Sequence, residues 1–131
     1  MQKNFDGWNT KKKNIHYQDS PRFYREREVW WCSLGVNIGS EQDGTGANFD
    51  RPFVIIKGFN KDTLWGVALT GKNRTGKYYF YLGKIEGREA TVILSQIRII
   101  DSRRLVRRLV VLDKDVFGNL VTALQKILFP K

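Results

Sequence analysis

The chain has 131 residues, 41% hydrophobic and 13% aromatic, enough for one core and too few for two domains. Its formal net charge of +10, from 23 Lys and Arg against 13 Asp and Glu, is an excess that draws a polyanion, most often nucleic acid. A single cysteine, Cys32, excludes an internal disulfide and any cysteine-built zinc cluster, and no apolar run is long enough to span a membrane.

Residues 1–24 are polar and lysine-rich with no sustained period, and Asp19-Ser20-Pro21 marks a break. They read as a mobile basic arm that Trp8, Tyr17, Phe23 and Tyr24 could pin to the body. The arm has no apolar h-region, so it is not a signal peptide, and the chain is expected in the cytoplasm. The domain proper is expected over 25–131. "EVWWCSL", Glu28 to Leu34, is β-rich and half apolar and predicts a first strand. A polar, glycine-rich loop follows, far longer than the two to six residues a simple connection needs. It ends on Arg51-Pro52, with Pro52 at the start of a strand "PFVIIK", where a missing N–H is tolerated.

"TLWGVAL", Thr63 to Leu69, predicts a third strand closed by Thr70-Gly71. "GKNRTG" is a basic turn before the aromatic strand "KYYFYLG", in which two of the four ring-bearing positions must point inward. "ATVILS" and "IRII" read as two further strands, "DSRRLVRR" as a polar turn or short helix, and "LVVL" as a last short strand. Strands at this spacing predict a mainly β fold, a small and strongly bent barrel or sandwich. At the C-terminus, Asp113 or Asp115 can cap a helix. Val116, Leu120, Ala123, Leu124, Ile127 and Leu128 form its apolar stripe, and Pro130 stops it.

The charge excess sits in the middle of the chain: from Arg51 to Arg108 there are 13 basic residues against 4 acidic ones. The one histidine, His16, lies in the arm, which excludes a two-histidine ribonuclease and a metal site built on histidines. The acids are scattered, so a carboxylate-only metal site is not expected, and "GKNRTG" lacks the length and following helix of a phosphate loop. Arginine, threonine, glutamine and backbone amides remain. They suit RNA transesterification, in which the substrate's own 2′-hydroxyl attacks. The protein then has to bend the strand and stabilise charge on the phosphoryl oxygens, a task for a planar guanidinium helped by a threonine hydroxyl.

"EVWWCSLGVNIGSEQ…RPFVII", then "VALTGK", then "LSQIRIIDSRRL" resembles the MazF/PemK/Kid family of endoribonuclease toxins from type II toxin–antitoxin pairs. The four blocks stand in the family's order and spacing over about Arg27 to Leu128. The resemblance implies a mainly β (α+β) fold, a small SH3-like β-barrel with a C-terminal helix, usually a homodimer. It also implies metal-independent, sequence-specific cleavage of single-stranded RNA to 2′,3′-cyclic phosphate and 5′-hydroxyl ends. No cofactor is implied, and the inhibitor is a cognate antitoxin with an acidic, flexible segment. By position, Arg51 would be the main catalytic residue and Thr70 would assist at the scissile phosphate. Ser40, Glu41, Gln42, Lys72, Gln96 and Arg98 would bind RNA.

Two departures stand out. Between "GSEQ" and "RP" the family usually has a few small residues, whereas Asp43 to Asp50 is longer and carries two extra acids. Ser95 also stands where some members have an acid that can serve as general base, which leaves the base unassigned. A non-catalytic SH3-like module that binds RNA or protein through its basic surface and Trp65, Tyr78, Tyr79 and Tyr81 is the alternative. On that reading Arg51 would only pair with Glu41 or Asp50 at the base of the loop.

Overall fold

The computed structural model describes residues 2–130. Six antiparallel strands form one sheet: β1 (Glu28–Ser33), β2 (Asp50–Gly58), β3 (Thr63–Thr70), β4 (Tyr79–Ile85), β5 (Arg88–Asp101) and β6 (Leu105–Val111), in the order β4-β5-β3-β2-β1-β6. Two helices accompany it, α1 (Phe5–Gln18) and α2 (Lys114–Leu128), and the sheet curls into a half-barrel.

The curl has a local cause. The register of β3 on β5 moves from Val67↔Ile97 to Leu69↔Val92, so β5 carries extra residues opposite a short step of its partner. Bulged strands bend and twist more strongly. Gln96 therefore does not divide this stretch into two strands, as the sequence suggests; it lies at the bend within one strand of 14 residues. Likewise "DSRRLVRR" splits, with Asp101 ending β5, Ser102–Arg104 in a single 3-10 turn and Leu105–Arg108 already in β6.

Period-two alternation sends side chains to two faces. Val29, Val54, Val67, Leu69, Val92 and Leu94 form one core. Trp30, Cys32, Phe53, Ile55, Leu64 and Ile100 belong to the other. The first core is closed by α2, whose N-cap is Asp113. Leu120 and Leu124 are buried in it, with Phe117, Ala123 and Ile127 packed alongside. Leu128, placed on the apolar stripe by its spacing, is about half exposed.

The N-terminal segment differs from the reading of an arm without regular structure. Residues 5–18 are helical, with the Asn4 side chain accepting from Gly7 N. Trp8 is buried and Tyr24 donates its hydroxyl to the Asn60 and Thr63 carbonyls. Tyr17 and Phe23 are exposed. The helix has no apolar stripe to give it away, because a single tryptophan supplies its anchor.

Candidate active site

The loop from Leu34 to Asp50 is tied at several points. Leu34 N and Gly35 N both donate to the Phe49 carbonyl, Gly44 N donates to the Gly35 carbonyl, and Thr45 and Asp50 exchange two backbone hydrogen bonds. Gly44 is buried, and a Cβ there would collide with the Phe49 carbonyl. The loop is thus a folded element that delivers the chain to Arg51.

Arg51 is half-buried at the start of β2. Its Nε donates to the Asp43 carbonyl at 2.6 Å and one terminal nitrogen donates to the Leu69 carbonyl at 3.2 Å. That commits two of the five N–H donors a guanidinium carries. Burial pushes the Arg51 pKa below its ordinary value while the nearby Asp43 carboxylate opposes the shift. Arg51 makes no ion pair with Glu41 or Asp50. The Glu41 carboxylate accepts from Ile38 N, and Asp50 accepts from Ser33 Oγ at 2.8 Å and meets Lys11 at 3.2 Å.

Thr70 closes β3, one residue beyond the carbonyl that holds Arg51, and its hydroxyl accepts from Lys72 N. Arg51 and Thr70 line one cavity of about 400 Å³. Sequence reasoning missed the rest of its wall. Glu86, Arg88 and Glu89, from the β4–β5 hairpin, and Arg107 of β6 line it too. Glu86 meets Arg107 at 3.6 Å, while Glu89 Oε2 accepts from the Tyr81 hydroxyl. No local signal in the sequence says that this hairpin folds back beside Thr70.

Several of the other predicted residues form a second cluster. Gln96 Oε1 accepts from Gln42 N at 3.0 Å and its Nε2 donates to the Ser40 carbonyl at 3.4 Å, so β5 carries the tip of the loop. Arg98 is half-buried and adds positive potential around Arg104, whose pKa is lowered by burial first and Arg98 second. Lys72 is exposed beside Thr70. Among the described residues no three His, Cys, Asp or Glu side chains converge as metal ligands. No helix among them is long and apolar enough to cross a membrane.

Residues 25–128 match the family model described as a PemK-like, MazF-like toxin of type II toxin–antitoxin systems. The fold is similar to an endoribonuclease in complex with its cognate antitoxin from a mycobacterial species, at TM-score 0.65 and 18% identity over 83% of this chain and 98% of that one. It is similar to MazF from Deinococcus radiodurans at TM-score 0.65 and 17% identity, covering 82% and 97%. It also matches a MazE–MazF structure from the same organism at TM-score 0.60 and 15% identity, covering 82% and 97%. No curated protein matches the chain by sequence.

Proposed function

We propose an activity from one premise: the chain belongs to the PemK-like, MazF-like toxin family of type II toxin–antitoxin systems. The reading is an endoribonuclease toxin that cuts single-stranded RNA by metal-independent transesterification and leaves 2′,3′-cyclic phosphate and 5′-hydroxyl ends. One observation supports it above the others. Arg51 and Thr70, some twenty residues apart in sequence, line the same cavity, and Arg51 is held by backbone carbonyls rather than neutralised by a carboxylate.

In this reading the RNA phosphate sits against Arg51, whose uncommitted N–H groups stabilise the charge that grows on the phosphoryl oxygens. Thr70 donates its hydroxyl to the same phosphate. As the 2′-oxygen bonds phosphorus, the P–O5′ bond breaks and the leaving 5′-oxygen takes a proton from solvent. The proton of the attacking 2′-hydroxyl goes to the acceptor we assign, Glu89. It lines the cavity with one carboxylate oxygen bonded to Tyr81, while the other cavity carboxylate, Glu86, is paired with Arg107. Gln42, Gln96, Ser40, Glu41, Lys72 and Arg98 line the path of the strand. No cofactor takes part. An antitoxin with an acidic, flexible segment would compete for the same positive groove, and the toxin would act as a homodimer in the cytoplasm.

The test is purified protein, freed of antitoxin, incubated with a long single-stranded RNA in excess EDTA. Cuts at recurring short sequences with cyclic phosphate ends are expected. Arg51→Ala should lower kcat by about 10²–10³, the worth of one preorganised oxyanion donor. Glu89→Gln should lower it by about 10²–10⁴, the usual contribution of a general base. Intact RNA that nonetheless binds in a gel shift would replace this reading with a binding module.

A further inference from the structure

Phe49 has a φ of 58°, in the left-handed region that aromatic residues seldom enter. Such a conformation persists only where its surroundings over-determine it. Part of those surroundings is the Trp8 ring, 5.8 Å from the Phe49 ring between centroids. Trp8 is 6% exposed, lies under the Arg104 guanidinium, and fills the space where Gly35, at φ 77°, would otherwise carry a Cβ.

Two lysines close on the same loop from either side of Trp8. Lys3 Nζ lies 3.0 Å from Asp43 Oδ2 and donates to the Asn37 and Gly39 carbonyls at 2.7 and 2.9 Å. Lys11, one helical turn beyond Trp8 and so on its face, lies 3.2 Å from Asp50 Oδ1 and donates to the Asn48 carbonyl. Asp43 and Asp50 are the two acids that the longer loop adds around Arg51. The family match begins at residue 25, so the segment that engages them lies outside it.

We propose that Lys3, Trp8 and Lys11 are positioning residues for Arg51. They hold a loop whose Asp43 carbonyl accepts from Arg51 Nε, and they neutralise the two carboxylates that would otherwise oppose a phosphate there. The longer acidic loop and the N-terminal segment, Lys3 with the helix that follows it, are then two halves of one device. The geometric part stands on the contacts alone, while its effect on cleavage rests on the ribonuclease reading.

The experiment compares the full-length chain with Lys3→Ala/Lys11→Ala and with Lys3→Arg/Lys11→Arg. NMR follows hydrogen exchange of the Arg51 Nε–H and of amides in 36–50, with β5 amides as the control for folding. Single-turnover kinetics on RNA follow in parallel. In the alanine pair, exchange at Arg51 and the loop should rise about tenfold, the worth of two ion pairs of this kind, with β5 unchanged. The rate at saturating RNA should fall by a similar factor, and the arginine pair should restore both.

Unchanged exchange at Arg51 in the alanine pair overturns the proposal, whatever the activity. Faster exchange with an unchanged rate at saturating RNA also overturns it, since Arg51 would then not depend on the clamp for its task. A wild type that never cleaves RNA, with exchange that responds as expected, leaves the clamp standing and removes the ribonuclease reading.

Discussion

The two helices of this protein are attached by different physics. α2 presents an apolar stripe and buries Leu120 and Leu124 fully in the core over β4 and β5. α1 buries one aromatic side chain, and the loop is gripped by lysine ammonium groups, Lys11 on the helix and Lys3 just before it. Apolar burial is not screened by salt as an ion pair is and couples the element to global stability. Partly exposed ion pairs are individually weak and screened, so they set the position of a loop more than they hold up a fold. The helix without an apolar stripe is the one beside the proposed chemistry.

This contrast can be broken by mutation. The largest stability effect is expected at α2: Leu120→Ala, at a side chain with no exposure, should cost about 2–5 kcal/mol in urea unfolding. Activity per folded molecule should not change, and a selective loss of activity would mean that α2 also serves the site. Gly35→Ala should cost less, about 1–3 kcal/mol from overpacking, because a Cβ there meets the Trp8 ring and φ is 77°. Its signature should be regional, with Trp8 fluorescence shifting to the red and proteolysis opening near residue 20, while the sheet melts as one unit.

Two interior groups sharpen the comparison further. Thr91, opposite Thr70 in the β3–β5 ladder, has a buried hydroxyl with no hydrogen-bond partner. Thr91→Val should therefore be neutral or stabilising by about 1 kcal/mol, and a loss would reveal a partner for that oxygen. Cys32 of β1 is wholly buried in the core, and burial pushes its thiol from 9.0 up to about 12. At neutral pH its titration contributes nothing. As pH rises from 9 the unfolded chain sheds this proton while the folded chain keeps it, so stability falls with rising pH through that window. Cys32→Ala should flatten that slope in urea midpoints taken between pH 8 and 10.5, and native Cys32 should resist alkylation.

Much of the fold was legible because strands and α2 carry their signals locally. Val, Ile and aromatic runs bounded by turns located β1 to β5 within a few residues and the second half of β6, whose first residues Leu105–Arg108 read instead as a turn or short helix. A three-and-four spacing located α2. The errors fell where geometry is relational. Gln96 looked like a break because it interrupts an apolar run, and only the unequal register against β3 shows that the chain bends there. α1 had no readable period because its anchor is one residue.

The site divides in the same way. Arg51, Thr70, Gln42 and Gln96 could be named as candidates from four ordered blocks of sequence, and the prolonged loop with its two acids could be noticed. That Arg51 would be held by the carbonyls of Asp43 and Leu69, and not by a carboxylate, could not be read from the chain. Neither could the presence of Glu86, Glu89 and Arg107 in the cavity wall.

The sequence by itself determined where most of the strands lie, the basic middle segment, the C-terminal helix and the family blocks, because each rests on neighbours within a few residues. Only the tertiary structure decided which acids meet which lysines. Asp43 and Asp50 answer to Lys3 and Lys11 across 40 and 39 residues of chain. Such pairings depend on where folding brings two distant segments together, and no local pattern of residue types records that.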